Sequence, residues 1–413
     1  MTGNPISDTK NLADLELRLT RARWFMGKDR EILEIQVVDQ IVFAKMALHL
    51  VQVTYRRGAA ELYSFWDGAF DTEFLKTLLS GCPLRGSNGS LVLVIKTVNI
   101  DSLSLSSLVP IGVEQSNSSW IIPGQGFLKL YRKLEEGVHP EAEMGLFLAQ
   151  NQRFPNTPGV VATWEYQAGE RRFALGILHQ CIPQARNAWS LLCEVAPDRE
   201  RGVALASLLG LRTAQLHIAL GRDHGNARFS PRPFAMPDLQ FILKKIQFDL
   251  DQALQPALPA KDYTSDFGMQ IRIHGDFHLG QVLWNGNDFM VIDFEGEPMR
   301  PLAERCQRHS PLKDVAGMLR SFSYVAEHLI LGASPHSPEE LRTWSADISQ
   351  AFLQAYLRAM VDSALLPSSD QAIQDLLQVF LVEKALYELR YEQKNRPDWV
   401  QVPLRGLEML LRQ

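Results

Sequence analysis

One segment in the last third of the chain constrains the fold more than any other feature. The sequence HGDFHLGQ begins at His274 and IDFEG begins at Ile292, and two short apolar stretches, VLW and FMVI, connect them around the turn sequence NGND. An apolar stretch, a turn and a second apolar stretch predict a β-hairpin. Such a hairpin would place its flanking residues, Gln281 and Asp293, side by side.

The residues around this hairpin are those that phosphoryl transfer requires. The reaction depends on positioning and on neutralising charge, so few groups suffice. Asp276 is predicted to be the catalytic base that accepts the proton of an attacking hydroxyl. Gln281 and Asp293 are predicted to hold magnesium against the phosphates of a nucleotide. The spacing from Asp276 to Gln281 is that of the protein-kinase loop H-R-D-x-x-x-x-N, with Gln in place of Asn.

Three other polar residues accompany this motif. His274 is expected to hold the loop through a backbone contact or to contact the substrate, and His278 to support the loop or to lie near the substrate. Glu295 is a further candidate for substrate binding. The alternative is that Gln281 and Asp293, which flank the hairpin, only cap turns, but the combination with the two histidines favours catalysis.

A lysine on an earlier strand is the candidate phosphate ligand of the nucleotide, which is expected to be ATP. Lys129 lies within the apolar stretch GFLKLY, and Glu143 follows at the start of a predicted helix with proline in its first turn. Glu143 is predicted to hold Lys129 in place. The preceding Ser116, Asn117 and Ser118 could close over the phosphates with backbone N–H groups and hydroxyls. Alternatively, the alternation of side chains along the strand could simply place Lys129 on the solvent-exposed face of a sheet.

Composition excludes several classes of protein. Of 413 residues, 42 are Lys or Arg and 47 are Asp or Glu, so charge gives no reason to expect nucleic acid as a partner. No apolar run reaches the length of a membrane span and the first ten residues lack a signal core, so we expect a cytoplasmic protein with a small-molecule partner. The four cysteines form no metal or disulfide pattern and are expected to be reduced thiols.

Periodicity divides the chain into a strand-rich first part and a helical second part. Strand-like stretches recur up to about Pro183, and helical periodicity dominates from Gln184 onwards. We predict an α+β chain with a bilobal, protein-kinase-like fold in three parts. These are a β-rich N-terminal cap over residues 1–105, a nucleotide-binding small lobe over 106–183, and a mostly helical large lobe over 184–413 with the catalytic loop and the sugar site.

A helix near the C-terminus is the candidate acceptor site. Aromatic faces beside carboxylates suit a sugar, because its C–H faces stack on rings while its hydroxyls donate to acid oxygens. The alternative is that the tyrosines belong to the core and that Lys384 pairs with Glu388 on the outer face. The candidate residues are Tyr387, Glu388, Tyr391, Glu392 and Trp399.

Together these motifs resemble the maltokinase family, which belongs to the aminoglycoside-phosphotransferase-like kinases. The resemblance spans nearly the whole chain, and its large-lobe motifs are specific. Two positions depart from the family pattern: Met26, where a second glycine is expected, and the unfamiliar serine-rich segment 102–107. The motifs that carry the resemblance are RWF at Arg23, KLYR at Lys129, LRTAQLH at Leu211, HGDFHLGQ at His274, IDFEGEP at Ile292, SPLKDVAGMLR at Ser310, and the segment from Tyr387 to Pro403.

The resemblance implies ATP-dependent phosphorylation of maltose at its anomeric hydroxyl, giving maltose 1-phosphate for α-glucan synthesis from trehalose. It assigns Asp276 as the base, Gln281 and Asp293 as magnesium ligands, Lys129 as the phosphate-contacting lysine, and the helix around Tyr387 to maltose binding. Similar proteins phosphorylate other sugars, glucosamine among them, so a glucosamine kinase is the alternative. A third alternative is a non-catalytic, kinase-like partner of trehalose synthase, with which family members are often associated.

Overall fold

The computed structural model describes two compact units. The first comprises residues 1–146 and 158–183, and the second residues 147–157 and 184–413. The described residues are 9–22, 24–25, 27–43, 45–97, 107–111, 117–150, 153–222, 225–253, 263, 266–332 and 334–412. Met26 and residues 102–106, where the sequence departs from the family pattern, lie outside them.

The first unit is built on two antiparallel sheets. The four-stranded sheet has the order β1-β2-β3-β9, and the seven-stranded sheet has the order β4-β5-β10-β11-β8-β7-β6. The helices of this unit are α1 (Thr9–Arg21), α2 (Thr72–Leu79) and the first part of α3 (Pro140–Ala149). The strands are β1 (Ile32–Phe43), β2 (Met46–Tyr55), β3 (Glu61–Gly68), β4 (Leu84–Arg85), β5 (Ser90–Lys96), β6 (Val109–Pro110), β7 (Ser118–Ile122), β8 (Gly126–Leu130), β9 (Lys133–Leu134), β10 (Val160–Ala168) and β11 (Arg171–Gln180).

Strand β2 is buried on both faces because two separate apolar clusters pack on the first sheet. Leu48 and Leu50 belong to the larger cluster, which also contains residues of α2 and of the seven-stranded sheet. Val51 and Val53 point to the opposite face and pack with α1. The alternation of side chains along a strand thus places the first sheet between α1 and the second sheet.

The second unit is mainly helical. Its central helices α5, α8, α9 and α10 pack on one another, and the short strands β12, β15 and β16 form a small sheet beside them. The helices are α4 (Ala188–Val195), α5 (Arg199–Gly221), α6 (Met236–Ala253), α7 (Leu302–Arg305), α8 (Leu312–Leu331), α9 (Pro338–Met360), α10 (Asp370–Asn395) and α11 (Gln401–Leu411). The strands are β12 (Arg186–Asn187), β13 (Arg232–Pro233), β14 (Met269–Gln270), β15 (Val282–Trp284) and β16 (Phe289–Val291).

The structure confirms the predicted fold class and the predicted hairpin. The first unit is rich in strands and the second in helices, and β15 pairs with β16 in the register Val282 to Val291. Sheet pairing crosses the predicted boundary near residue 105: β5 joins the seven-stranded sheet, and β9 joins the four-stranded one. Residue 105 itself lies outside the described residues, so the division into three parts stays a prediction.

Helix α5 is the one helix of the described residues that is long and apolar enough to cross a membrane. Half of the residues in its most apolar window are buried within the structure. Gly210 lies at its contact with α9, where an added Cβ would come within 2.3 Å of the carbonyl oxygen of Phe352. The buried central helix of a globular protein meets the same criteria of length and composition.

The close contact at Gly210 gives a prediction about stability. We expect Gly210→Ala to lower the free energy of unfolding by about 1–3 kcal/mol, because the methyl group overpacks the contact and this outweighs the gain in helix propensity. Urea denaturation measures the change. The control is Ala204→Ser at an exposed position of α5, which should stay within about 0.5 kcal/mol of the wild type. Equal stability of the two variants would contradict this packing.

Candidate active site

The backbone of the predicted catalytic loop is held by a buried carboxylate on α8. Asp314 accepts hydrogen bonds from the backbone N–H groups of His274, at 2.7 Å, and Gly275, at 2.9 Å. Its Oδ2 also lies 3.2 Å from Nε2 of His217, whose Nδ1 is 2.9 Å from the Tyr356 hydroxyl. Burial would raise the pKa of Asp314, but the hydrogen bond from His217 and the neighbouring imidazoles lower it below its ordinary value.

The same face of α8 makes two further contacts with the loop. An added Cβ at Gly317 would lie 2.5 Å from the carbonyl oxygen of Phe277, so only glycine permits this approach. Ser321 Oγ accepts a hydrogen bond from the backbone N–H of Leu279 at 3.1 Å. Because residues 314, 317 and 321 are spaced by three and four, one helix face positions the whole loop.

His274 contacts the backbone of the loop, as the sequence analysis expected. Its ring is 1% exposed. Nε2 lies 2.9 Å from the carbonyl oxygen of Ile292, and Nδ1 accepts a hydrogen bond from the backbone N–H of Asp276 at 3.4 Å. Both ring nitrogens therefore contact the backbone. A contact of His274 with the substrate stays a prediction.

The hairpin brings together the two predicted magnesium ligands. The backbone N–H of Ile292 donates to the carbonyl oxygen of Gln281 at 3.0 Å, directly beside the β15–β16 ladder. Asp293 has φ of 66°, a left-handed conformation that costs energy for a residue other than glycine. Backbone strain of this kind is concentrated at functional sites.

The donor set at the end of the hairpin fits a hard cation. A carboxylate oxygen of Asp293 lies within 4.8 Å of one of Glu295, so both can contribute to the same ion. Gln281 can add an amide oxygen. Magnesium prefers oxygen ligands of these types. Glu295, which the sequence nominated for substrate binding, is therefore also placed to act at the metal.

Asp276 is paired with a lysine that the sequence did not connect to it. Lys384 Nζ on α10 lies 2.9 Å from Asp276 Oδ1 and 3.3 Å from Glu297 Oε1. Burial would raise the pKa of Asp276, but Lys384 and the neighbouring imidazoles lower it to about 2. Asp276 is therefore ionised throughout the neutral pH range, as a general base must be.

His278 contacts the other oxygen of Asp276. Its Nδ1 accepts a hydrogen bond from the backbone N–H of Gly280 at 3.0 Å, so in the neutral ring the proton is on Nε2. Nε2 lies 3.8 Å from Asp276 Oδ2. The ring thus caps the short 3-10 turn at Leu279–Gln281 and borders the catalytic carboxylate.

The ion pair between Lys384 and Asp276 is one end of a chain of alternating charges. Each carboxylate in the chain touches one or two of its cations, and each cation touches one or two of its carboxylates; Arg300 also lies 3.6 Å from Glu304, outside the chain. The order is Asp276, Lys384, Glu297, Arg300, Glu383 and Lys313. Three segments, the catalytic loop, the segment after the hairpin and α10, are joined in this way to the start of α8.

The predicted acceptor helix is only partly a free surface. Glu388 pairs with Arg320 at 2.7 Å rather than with Lys384, which corrects the pairing proposed from periodicity. Glu392 is 1% exposed and pairs with Arg396 at 2.7 Å, so its carboxylate already has a cationic partner. Both carboxylates have cationic partners within the second unit.

The aromatic residues of this region have different surroundings. The ring of Tyr387 lies 4.7 Å from Lys384 Nζ, the ammonium that pairs with Asp276. Trp399 instead stacks with Tyr324 and with His328. Tyr391 is 37% exposed. Of the predicted acceptor residues, Tyr387 is the one that these contacts connect to Asp276, and sugar binding by the others stays a prediction.

In the first unit, the predicted phosphate-binding lysine is buried in a network of polar side chains. Lys129 Nζ lies 3.0 Å from Glu141 Oε2, two residues before the Glu143 that the sequence nominated. Glu141 also accepts from the Tyr131 hydroxyl at 2.7 Å, and its Oε1 lies 3.2 Å from His179 Nε2. Burial would raise the pKa of Glu141, but Lys129 and His179 hold it well below its ordinary value. A role for Glu143 stays a prediction.

The predicted phosphate loop precedes the neighbouring strand. Ser118 begins β7 and pairs with Leu130 of β8, and its hydroxyl accepts a hydrogen bond from Arg132 at 3.0 Å. The Arg132 guanidinium also lies 5.0 Å from the ring of Trp24. Asn117 is buried, and Ser116 lies outside the described residues.

Sequence reasoning missed three residues that the structure places at these sites. Asp314 lies within a motif that carries the family resemblance, and Lys384 lies shortly before another. Their roles become visible only from the residues that surround them in the structure. Glu141 and Glu143 both lie in the first turn of α3. Helical periodicity does not tell which of these two acids contacts Lys129.

Comparison with known proteins gives the class. The model of a phosphotransferase enzyme family, APH, matches residues 107–360, which is more than half of the chain. The chain therefore belongs to this phosphotransferase family.

The individual proteins that match the chain have low sequence identity to it. A glucosamine kinase of Streptacidiphilus jiangxiensis is 25% identical over 391 residues, which cover 88% of this chain and 81% of the relative. A glucosamine kinase of Mycolicibacterium smegmatis is 27% identical over 323 residues, covering 73% and 79%. A solved glucosamine kinase in complex with glucosamine, ADP and inorganic phosphate has a TM-score of 0.65 at 19% identity, with all of both chains covered. A second crystal form of a glucosamine kinase gives a TM-score of 0.68 at 20% identity, covering 96% and 99%. These structures establish a shared kinase-like fold.

The contacts of Asp314 give a prediction about the loop. We expect Asp314→Asn to lower the free energy of unfolding by about 2–4 kcal/mol and turnover at least tenfold, because the amide NH₂ group cannot accept the backbone hydrogen bond that a carboxylate oxygen accepts. Urea denaturation and initial rates measure the two effects. Ser321→Ala removes a single acceptor and should cost only about 1–3 kcal/mol. An Asp314→Asn variant with wild-type stability and rate would contradict the anchoring role.

Proposed function

We propose that the protein transfers the γ-phosphoryl group of ATP to a hydroxyl of a sugar. The observation that carries the proposal is the arrangement at the hairpin. An ionised aspartate stands on a loop anchored by α8, and the amide and carboxylate of Gln281 and Asp293 flank one end of the hairpin. A base and a pair of oxygen ligands are the groups that phosphoryl transfer to a hydroxyl needs.

Each residue has a distinct role in this reaction. Asp276 Oδ2 accepts the proton of the acceptor hydroxyl as the oxygen attacks phosphorus. Gln281, Asp293 and Glu295 would hold a magnesium ion, and that ion would supply positive charge to the phosphates. Lys129, fixed by Glu141, contacts the phosphates of ATP. Since Lys129 and all the hairpin groups are present, the alternative of a non-catalytic partner of trehalose synthase has little support.

Glucosamine is the acceptor that the comparisons support. Both curated relatives are named glucosamine kinases, and the solved relative binds glucosamine and ADP. An amino sugar carries an ammonium group, which favours a carboxylate without another cation at the binding site.

An uncharged sugar such as maltose is the second candidate. It is supported by the sequence motifs of the C-terminal helix and by one structural observation. The candidate carboxylates Glu297, Glu388 and Glu392 each contact a lysine or arginine of the second unit. A neutral acceptor would leave these ion pairs in place. An association with trehalose synthase would accompany this second candidate.

The role of the base is tested by Asp276→Asn. We expect ADP release with the best acceptor to fall by about two to three orders of magnitude, since the base and its charge are both lost. The acceptors offered are glucosamine, maltose, glucose and trehalose. Asp362→Asn at an exposed position is the matched control and should keep the wild-type rate. Full activity of Asp276→Asn would refute the assignment.

The metal ligands are tested by titration with magnesium. Activity should disappear in excess EDTA and return with magnesium or manganese. Gln281→Ala should raise the magnesium concentration for half-maximal rate by about tenfold, because one of the ligands is lost. Glu34→Gln, on an exposed part of β1, should leave the titration unchanged. Activity that survives chelation would show that the hairpin does not serve a metal.

A further inference from the structure

Lys384 holds a fixed positive charge beside the proposed catalytic base. Its ammonium contacts both Asp276 and Glu297, at 2.9 and 3.3 Å. The side chains of Lys384 and Asp276 are each only 15% exposed, so water screens this charge weakly. The Tyr387 ring borders the same ammonium from α10. Any acceptor that presents its hydroxyl to Asp276 must therefore approach a lysine.

The carboxylates around Lys384 are already compensated. Within the alternating chain described above, three carboxylates face three cations. Glu297 touches both Lys384 and Arg300, and Glu383 touches both Arg300 and Lys313. Burial would lower the pKa of Lys384, but Asp276 and Glu297 raise it well above its ordinary value, so the ammonium is retained at every pH used for assays. An additional cation would meet no unpaired acid among these six groups.

We propose that Lys384 is a specificity-determining residue that makes the acceptor site favour an uncharged sugar over an amino sugar of the same shape. The inference rests on the proposed kinase activity. An acceptor hydroxyl in reach of Asp276 lies roughly 3 Å from the carboxylate. The sequence resemblance implies that the reacting hydroxyl is the anomeric one, and the amine at C2 of glucosamine is then on the adjacent carbon. Its ammonium would lie near that of Lys384, which repels it. The relatives and the ion pairs thus support different acceptors, and Lys384 is the residue on which the choice depends.

The first measurement uses the wild-type protein and needs no variant. Glucose and glucosamine differ only in the group at C2, so they are compared as acceptors, by kcat/KM, and as competitors of maltose, by their inhibition constants. We expect glucose to be favoured at least tenfold at pH 6.5, where the amine is charged. The preference should shrink at pH 9, where the amine is neutral. A preference for glucosamine at pH 6.5, or a preference independent of pH, would overturn the proposal.

The second measurement changes the charge. Lys384→Met keeps the apolar stem but removes the charge. The ratio of kcat/KM for glucosamine to kcat/KM for glucose should rise at least tenfold, because Asp276 and Glu297 lose their shared cation. Lys384→Arg should keep the wild-type ratio. Lys394→Met, at an exposed position on the same helix, is the matched control. The ratio is informative even if all rates fall, since a purely structural defect lowers both acceptors together.

The outcomes separate this inference from the proposed function. A folded, active Lys384→Met variant with the wild-type ratio would refute the role of Lys384 while leaving the kinase intact. Failure of the wild type to phosphorylate any sugar would refute the kinase and this inference with it. If thermal melting shows that Lys384→Met does not fold, the pH dependence of the wild-type preference decides.

Discussion

The hydrogen bonds from His274 and Gly275 to Asp314 are the interaction on which the candidate site depends. They fix the backbone just before Asp276, and the second Asp314 partner, His217, connects that point to the buried hydroxyl of Tyr356. A loop without regular structure otherwise has few internal contacts to hold a catalytic carboxylate in place. Here a helix face supplies them, through a carboxylate, a glycine and a hydroxyl in successive turns.

Charge pairing, more than apolar burial, organises the surroundings of that loop. Lys384 and Arg300 each bridge carboxylates from different segments. Removing Lys384 would take away the cation that pairs with Asp276, whereas without Arg300 the acids Glu297 and Glu383 would each keep a lysine partner. Buried ion pairs contribute little net stability, because desolvation offsets their attraction. Their effect lies in specifying which groups face one another. The loop, the segment after the hairpin and α10 are therefore positioned jointly.

Sequence alone predicted the fold class, the hairpin and the long helices, because each depends on periodicity or on local spacing. The roles of Asp276, Gln281 and Asp293 stay predictions. Sequence alone did not predict Lys384 beside Asp276, since the two are separated by 108 positions and helical spacing favoured the local partner Glu388. The same limit applies to Glu141, where two acids in one helical turn were equally plausible. In the two-sheet arrangement, β5 from before the expected boundary joins the seven-stranded sheet, and β9 from after it joins the four-stranded sheet. This pairing is between strands distant in sequence, and the alternation of apolar and polar residues within a strand does not specify it.

Two of the buried lysine–carboxylate pairs, Lys129–Glu141 and Lys384–Asp276, have similar geometry but different proposed roles. In Lys129–Glu141 the acid has two further partners, Tyr131 and His179. Both of its oxygens therefore have partners, and its charge compensates that of the lysine. In Lys384–Asp276 one carboxylate oxygen contacts Lys384 and the other lies 3.8 Å from His278, which makes the second oxygen the proposed acceptor of a proton. The lysine–carboxylate distance is about 3 Å in both pairs, although the proposed roles differ. What distinguishes the acid that anchors a lysine from the acid proposed as a base is the number of oxygen lone pairs still able to accept a hydrogen bond.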